Sequence, residues 1–170
     1  MVNMTPFTRW LRHGCTGAWQ RRKCFPAGTL AHIEAAIRDC ETRHPGEIRF
    51  AVEAALPLSA IWHGITPRQR AMQVFATEGV WDTEHNNGVL IYVLLADRDV
   101  EIVADRGVGD ARVPAAEWEA CCRLMEDAFR QARFEQGALT GIAAVASVLA
   151  KYPPSRPDVG NELPDRPILL

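Results

Sequence analysis

The 170-residue chain lacks the features that would assign a chemistry at sight. Five cysteines, at positions 15, 24, 40, 121 and 122, form no C-x-x-C pair. That excludes the closely spaced ligand pairs of a structural zinc site, and an odd count fits reduced thiols better than a disulfide framework. No stretch approaches the ~20 apolar residues that span a bilayer. The opening stretch MVNMTPFTRWLRHGCTGAWQRRKC is interrupted by Arg9, Arg12 and His13, which does not suit a signal peptide. The cytoplasm is therefore the expected location. Walker A, G-x-S-x-G and H-E-x-x-H signatures are missing. Cys24 is followed by FPAGTL, with no arginine where a Cys-x5-Arg phosphatase loop requires one.

Acid is missing from the amino-terminal segment. Residues 1–25 carry Arg9, Arg12, Arg21, Arg22 and Lys23 and no Asp or Glu, five positive charges in a chain of net charge −2, which leaves −7 for the remainder. A basic arm on an acidic body is the result. The overall sign argues against a nucleic-acid binder, which usually carries a basic field. Phe7, Trp10, Leu11 and Cys15 share a helical face from which Arg9, Arg12 and His13 are excluded. That pattern permits contact with a membrane surface, and it equally suits an arm packed on the domain or a loose terminus.

What is present is an ordinary globular composition, 48% apolar and 24% charged, in a length that suits one domain. Leu30, Ile33, Ala36, Ile37 and Cys40 recur at helical spacing after Pro26, and His44-Pro45-Gly46 stops that helix. In EIRFAVEAAL, residues 47–56, Ile48, Phe50, Val52, Ala54 and Leu56 alternate with more polar positions, which predicts a strand with one buried face. Residues 57–64 read as a loop. Thr66-Pro67 then starts a helix to about Glu78, with Met72, Phe75 and Ala76 inward and Arg68 and Arg70 solvated. VLIYVLL, residues 89–95, is apolar without alternation and predicts a central strand buried on both faces.

Residues 100–105 form the next strand, close enough to the last for an antiparallel hairpin. A two-residue loop at Asp97-Arg98 would set Leu95 opposite Val100, Val93 opposite Ile102 and Ile91 opposite Ala104. Trp118, Cys121, Leu124, Met125, Ala128, Phe129 and Ala132 mark a long helix, and Leu139, Ile142, Ala146 and Leu149 mark a last one. From residue 152 the chain holds Pro153, Pro154, Pro157, Pro164 and Pro167, and predicts an extended or disordered tail. The reading is an α/β sandwich: a central mixed sheet, made of one β-hairpin plus a βαβ unit, with helices on both faces. It divides into a basic arm (1–24), a body (25–151) and a proline-rich flexible tail (152–170).

Three stretches, GEIRFAVEAAL, NNGVLIYVLLADRDVEIVADRGV and ARFEQGALTGI, together resemble the TPM domain over residues 25–150. The resemblance implies an α/β/α fold and, by the family's associations, acid phosphatase activity, a role in repair or assembly, and binding of divalent cations such as calcium. Where relatives often have Gly-Tyr-Gly after the hairpin, this chain has Asp105-Arg106-Gly107.

The Ala-Asp-Arg motif occurs twice, at 96–98 and 104–106. At ~3.3 Å per residue the two aspartates lie about 26 Å apart, so they mark two environments. Asp97 and Asp99 are the first choice for a Ca2+ or Mg2+ site, because hard cations take several carboxylate oxygens and ligands favour the carboxyl end of parallel strands. The plainer alternative is that they shape a turn. Asp105, Asn86 and Asn87 are the second choice. Function divides three ways: a protein-interaction or assembly domain, a divalent-cation-dependent phosphatase, or a peripheral membrane adaptor using Phe7, Trp10, Leu11, Arg9 and Arg12.

Overall fold

The computed structural model describes residues 6–108, 112–152 and 160–170. The tail prolines Pro153, Pro154 and Pro157 lie outside the described residues. Its centre is β2 (Gly88–Leu94), every residue of which is buried. β1 (Glu47–Glu53) runs parallel to β2, from Glu47 opposite Gly88 to Glu53 opposite Leu94. β3 (Asp99–Ala104) is antiparallel on the other side of β2, and β4 (Ile168–Leu169) is parallel to β1 at the far edge. The sheet order is β3-β2-β1-β4. This is the mixed α/β sandwich the hydropathy pattern predicts.

Helices cover both faces because β2 has no face that tolerates water. On one face, α3 (Ala27–Glu41), α6 (Ala115–Arg130) and α7 (Phe134–Lys151) pack on Phe50, Val52, Ile91, Val93 and Ile102. Phe25 closes this core at its margin, with its ring centroid 5.8 Å from that of Phe134 and 6.1 Å from that of Phe50. On the other face, α5 (Pro67–Thr77) packs Ala71 and Val74 against Leu90, Tyr92 and Leu94. Thr66 caps α5 reciprocally with Gln69, and proline follows at the first turn. α1 (Pro6–Cys15) and α2 (Ala18–Cys24) precede this body, and α4 (Leu58–Trp62) occupies the segment expected to be a loop.

The structure corrects several details. β1 is buried on both faces, although Glu47, Arg49 and Glu53 alternate with its apolar residues. The polar face meets protein: Arg70 donates to Glu53 at 2.8 and 3.1 Å, Tyr92 donates its hydroxyl to the same carboxylate at 2.6 Å, and Leu163 N–H donates to Glu47 at 3.0 Å. Arg70 is therefore paired, not solvated. In α5 the inward residues are Ala71 and Val74, whereas Met72 and Ala76 are exposed.

The hairpin loop has four residues, not two. Leu94 faces Asp99, Val93 faces Val100, Ile91 faces Ile102 and Val89 faces Ala104. Leu95 and Ala96 donate their N–H groups to the carbonyls of Glu53 and Ala54, which holds them in line with the β1 side of the sheet. Arg98 completes the turn at a φ of 55°. The two-residue slip preserves which side chains share a face, because strand side chains alternate with period two. Lastly, residues 160–170 are not a free tail. The open edge of β1 supplies unpaired backbone groups, and Leu170 N–H bonds Val52 O at 3.0 Å, while Arg38 and Asn161 hold Asp165 at 3.0 and 2.7 Å.

α6 and α7 approach closely because Gly141 has no side chain: a Cβ there would run into the Met125 side chain. Gly141→Val is expected to destabilise the fold by about 1–3 kcal/mol through overpacking, read as a lowered urea midpoint with an unchanged slope.

Candidate functional site at the carboxyl end of the sheet

Asp97 sits in the turn just beyond β2, and the chain that follows β1 lies alongside it. Its side chain is only 6% exposed. Two residues from α1 reach it across more than eighty positions of sequence. Arg9 donates Nη2–H and Nε–H to Oδ2 at 2.8 and 3.0 Å. His13 Nε2 lies 2.9 Å from Oδ1. Leu56 N–H donates to His13 Nδ1, also at 2.9 Å, so Nε2 carries the ring proton and donates to the carboxylate. Burial works to raise the Asp97 pKa, but hydrogen bonds from His13 and Arg9, aided by charge, outweigh it and hold the carboxyl below its ordinary range.

This clamp fixes the orientation of α1. With Arg9 and His13 turned inward, Phe7, Trp10 and Leu11 must face outward, and Phe7 is 68% exposed. α1 is thus amphipathic with its polar side toward the protein. Trp62, at the end of α4, is 85% exposed. Phe7, Trp10, Ile61 and Trp62 line an open apolar cavity of about 530 Å³.

Asp99 has a different environment. It lines a second cavity of about 560 Å³ with Arg68, Glu101, Trp118, Cys122 and Glu126. Its Oδ2 is buried without a partner. Burial first, then the neighbouring Glu101, Glu126 and Asp97, push its pKa up to about 7. Burial also pushes the Cys122 thiol up to about 12, with Glu101 and Glu126 adding to the effect, so it is no thiolate nucleophile. At the opposite end of the hairpin, Asn86 Oδ1 accepts from Arg106 Nε at 2.9 Å, Asp105 Oδ1 accepts from Arg106 N–H at 2.7 Å, and Asn87 N–H donates to Thr83 at 3.0 Å. Asp105 and Asn86 are therefore joined through Arg106, and Asp97 is not part of that group.

Residues 21–148 match the family model of the TPM domain. The chain belongs to the TPM domain family. Among solved structures, this TPM domain is similar to the BA42 protein from the psychrophilic bacterium Bizionia argentinensis, with 34% identity, a TM-score of 0.74, and coverage of 86% of this chain and 95% of that one. It also resembles the N-terminal domain of a protein from P. gingivalis (20% identity, TM-score 0.54, covering 74% of this chain and 76% of that one). The N-terminal domain of the cg2496 protein from Corynebacterium glutamicum gives 18% identity and a TM-score of 0.54, covering 81% of each chain. The last two likenesses show the fold alone. No curated protein matches the chain.

The residues of this TPM domain do not fit a cation at Asp97, where both carboxylate oxygens are already engaged and Arg9 places a positive charge beside them. Among the described residues, no group of three or more His, Cys, Asp and Glu is placed to hold a metal ion. Nor is any described helix long and apolar enough to cross a membrane. Sequence reasoning missed His13 as a structural ligand of Asp97, and missed Trp62 altogether. The one available signal was that His13 falls on the same helical face as Arg9.

Two substitutions should move stability in opposite senses with pH. The folded-state pKa of Asp97 is depressed, so its contribution is present above the unfolded value of ~3.9 and is lost as pH falls further. Asp97→Asn should cost about 2–4 kcal/mol at pH 7 and progressively less below pH 4. The folded-state pKa of Asp99 is raised to about 7, so stability is lost as pH climbs from the unfolded value through that point. Asp99→Asn should stabilise by about 1–3 kcal/mol at pH 8 and by nothing near pH 3. Urea unfolding between pH 3 and 8 checks both.

Proposed function

We propose that this TPM domain is a protein-interaction domain of the cytoplasm, which docks a partner on the outward face of α1 and α4. The observation that carries the reading is the inverted orientation of α1: its aromatic side faces solvent while Arg9 and His13 are spent on Asp97. Exposed apolar surface that rims a concavity is the usual mark of a binding site, and tryptophan is enriched among residues that dominate interface energies. Five free cysteines support a reducing compartment. A peripheral membrane role draws less support, because Arg9, nominated for lipid contact, is turned inward.

A divalent-cation-dependent phosphatase is the second reading. One observation favours it: the unpartnered Asp99 oxygen beside a cavity that also holds Glu101 and Glu126. A Ca2+ or Mg2+ ion there would need ligands beyond this set, and a carboxyl whose pKa stands near 7 is a weak ligand at neutral pH.

Panning a random-peptide display library against the wild type and Trp62→Ala separates the readings. Sequence-convergent binders that lose at least tenfold in affinity on the variant are expected. Enrichment indifferent to Trp62, together with metal-dependent phosphate release from p-nitrophenyl phosphate, would overturn the docking role in favour of hydrolysis.

A further inference from the structure

We infer that the α1–α4 groove receives an acidic amphipathic helix of a protein partner; this rests on the docking role proposed above and specifies the chemistry of the partner. The groove is walled by two helices. Phe7 and Trp10, three positions apart on α1, face Ile61 and Trp62 of α4 across about 530 Å³, within the ~300–1,000 Å³ typical of ligand pockets. A groove of this kind accepts a helix that lays apolar side chains at i, i+3 or i+4, and i+7 into it.

Charge selects which helix. Residues 6–33, which contain α1 and α2, and residues 54–77, which contain α4 and α5, include no Asp or Glu. Arg22 and Lys23 are exposed on α2, beside an exposed Trp19. Arg9, Arg68 and Arg70 are balanced by acids from elsewhere, Asp97, Glu101 and Glu53, and Arg21 donates to the Leu170 carbonyl, whereas Arg22 and Lys23 stand exposed on α2. A basic partner would instead be drawn to the remainder of the chain, whose net charge is negative.

The direction of the α1 cations argues against a lipid surface: an interfacial helix directs its cations outward to the headgroups, whereas Arg9 and His13 are turned inward onto Asp97.

Two synthetic helical probes test the inference. They share length and apolar anchors, with Glu at every polar position in one and Lys in the other. Fluorescence anisotropy on the full chain is expected to show the Glu probe binding at least tenfold tighter than its Lys twin. Trp62→Ala should weaken the Glu probe at least tenfold, or about 1.4 kcal/mol. Combined Arg22→Glu and Lys23→Glu should narrow the difference between probes without touching the groove. Trp62, Arg22 and Lys23 are exposed, and thermal melts are the check that the variants fold.

Equal binding of the twins, preference for Lys, or Trp62-dependent binding only to a second copy of the chain overturns the acidic-helix inference and leaves docking intact, whereas Trp62-dependent binding only to vesicles of phosphatidylcholine with phosphatidylglycerol overturns both in favour of the membrane role. Should Trp62→Ala alter binding to none of these, the docking role itself falls.

Discussion

β2 is buried on both faces, and the rest of the molecule answers to that constraint. A strand with no wet face requires cover on two sides, which α3, α6 and α7 supply on one and α5 on the other. β1 shares both covers, so its alternate charged residues are carried out of water as well. Each is met by a partner. Glu53 is held by Arg70 and Tyr92, and the carboxyl-terminal segment supplies an N–H to Glu47 and the Arg166 carbonyl to Arg49. Such buried pairs contribute little net stability over an apolar replacement, yet removing one member leaves a charge stranded in the interior. Their value here is in positioning: they hold α5 and the final strand in register with β1.

The same logic operates at the carboxyl end of the sheet, with a different consequence. Asp97 leaves the buried strand as a carboxylate with little access to water, and α1 satisfies it with Arg9 and His13. Because a helix has only one polar side to offer, the apolar side of α1 is displaced to the surface. An electrostatic requirement of the sheet thereby produces the aromatic face on which the proposed function depends. The amino-terminal helices are tied to the domain through hydrogen-bonded side chains more than through an apolar seam.

Membership of the TPM family brings the fold securely, but the chemistry belongs to the individual residues. In this chain the first Ala-Asp-Arg motif ends the β2–β3 hairpin with its aspartate clamped, and the second begins the loop beyond β3 with its aspartate bonded to the Arg106 backbone. The first copy is not arranged as a cation cradle, since both oxygens of Asp97 are engaged. Burial keeps the Cys40, Cys121 and Cys122 thiols protonated, with pKa values pushed up to about 12, 11 and 12.

Local pattern alone determined the element order from α3 to α7 apart from α4, the central place of β2, the parallel pairing with β1 and the Thr66 cap. Each depends on interactions within a few residues, or on a hydrophobic period that reports burial directly. It also determined that Asp97 and Asp105 lie at opposite ends of one hairpin, since strand rise fixes that distance. Tertiary structure decided the rest. The hairpin loop grew to four residues because Leu95 and Ala96 bond to the chain beyond β1. The alternation in β1 concealed a second buried face because its charges found distant partners. The proline-rich end became an edge strand because β1 had an edge to fill. The orientation of α1, and with it the exposure of Phe7 and Trp10, was set by a carboxylate 88 positions away from Arg9, and no local periodicity carries information over that separation.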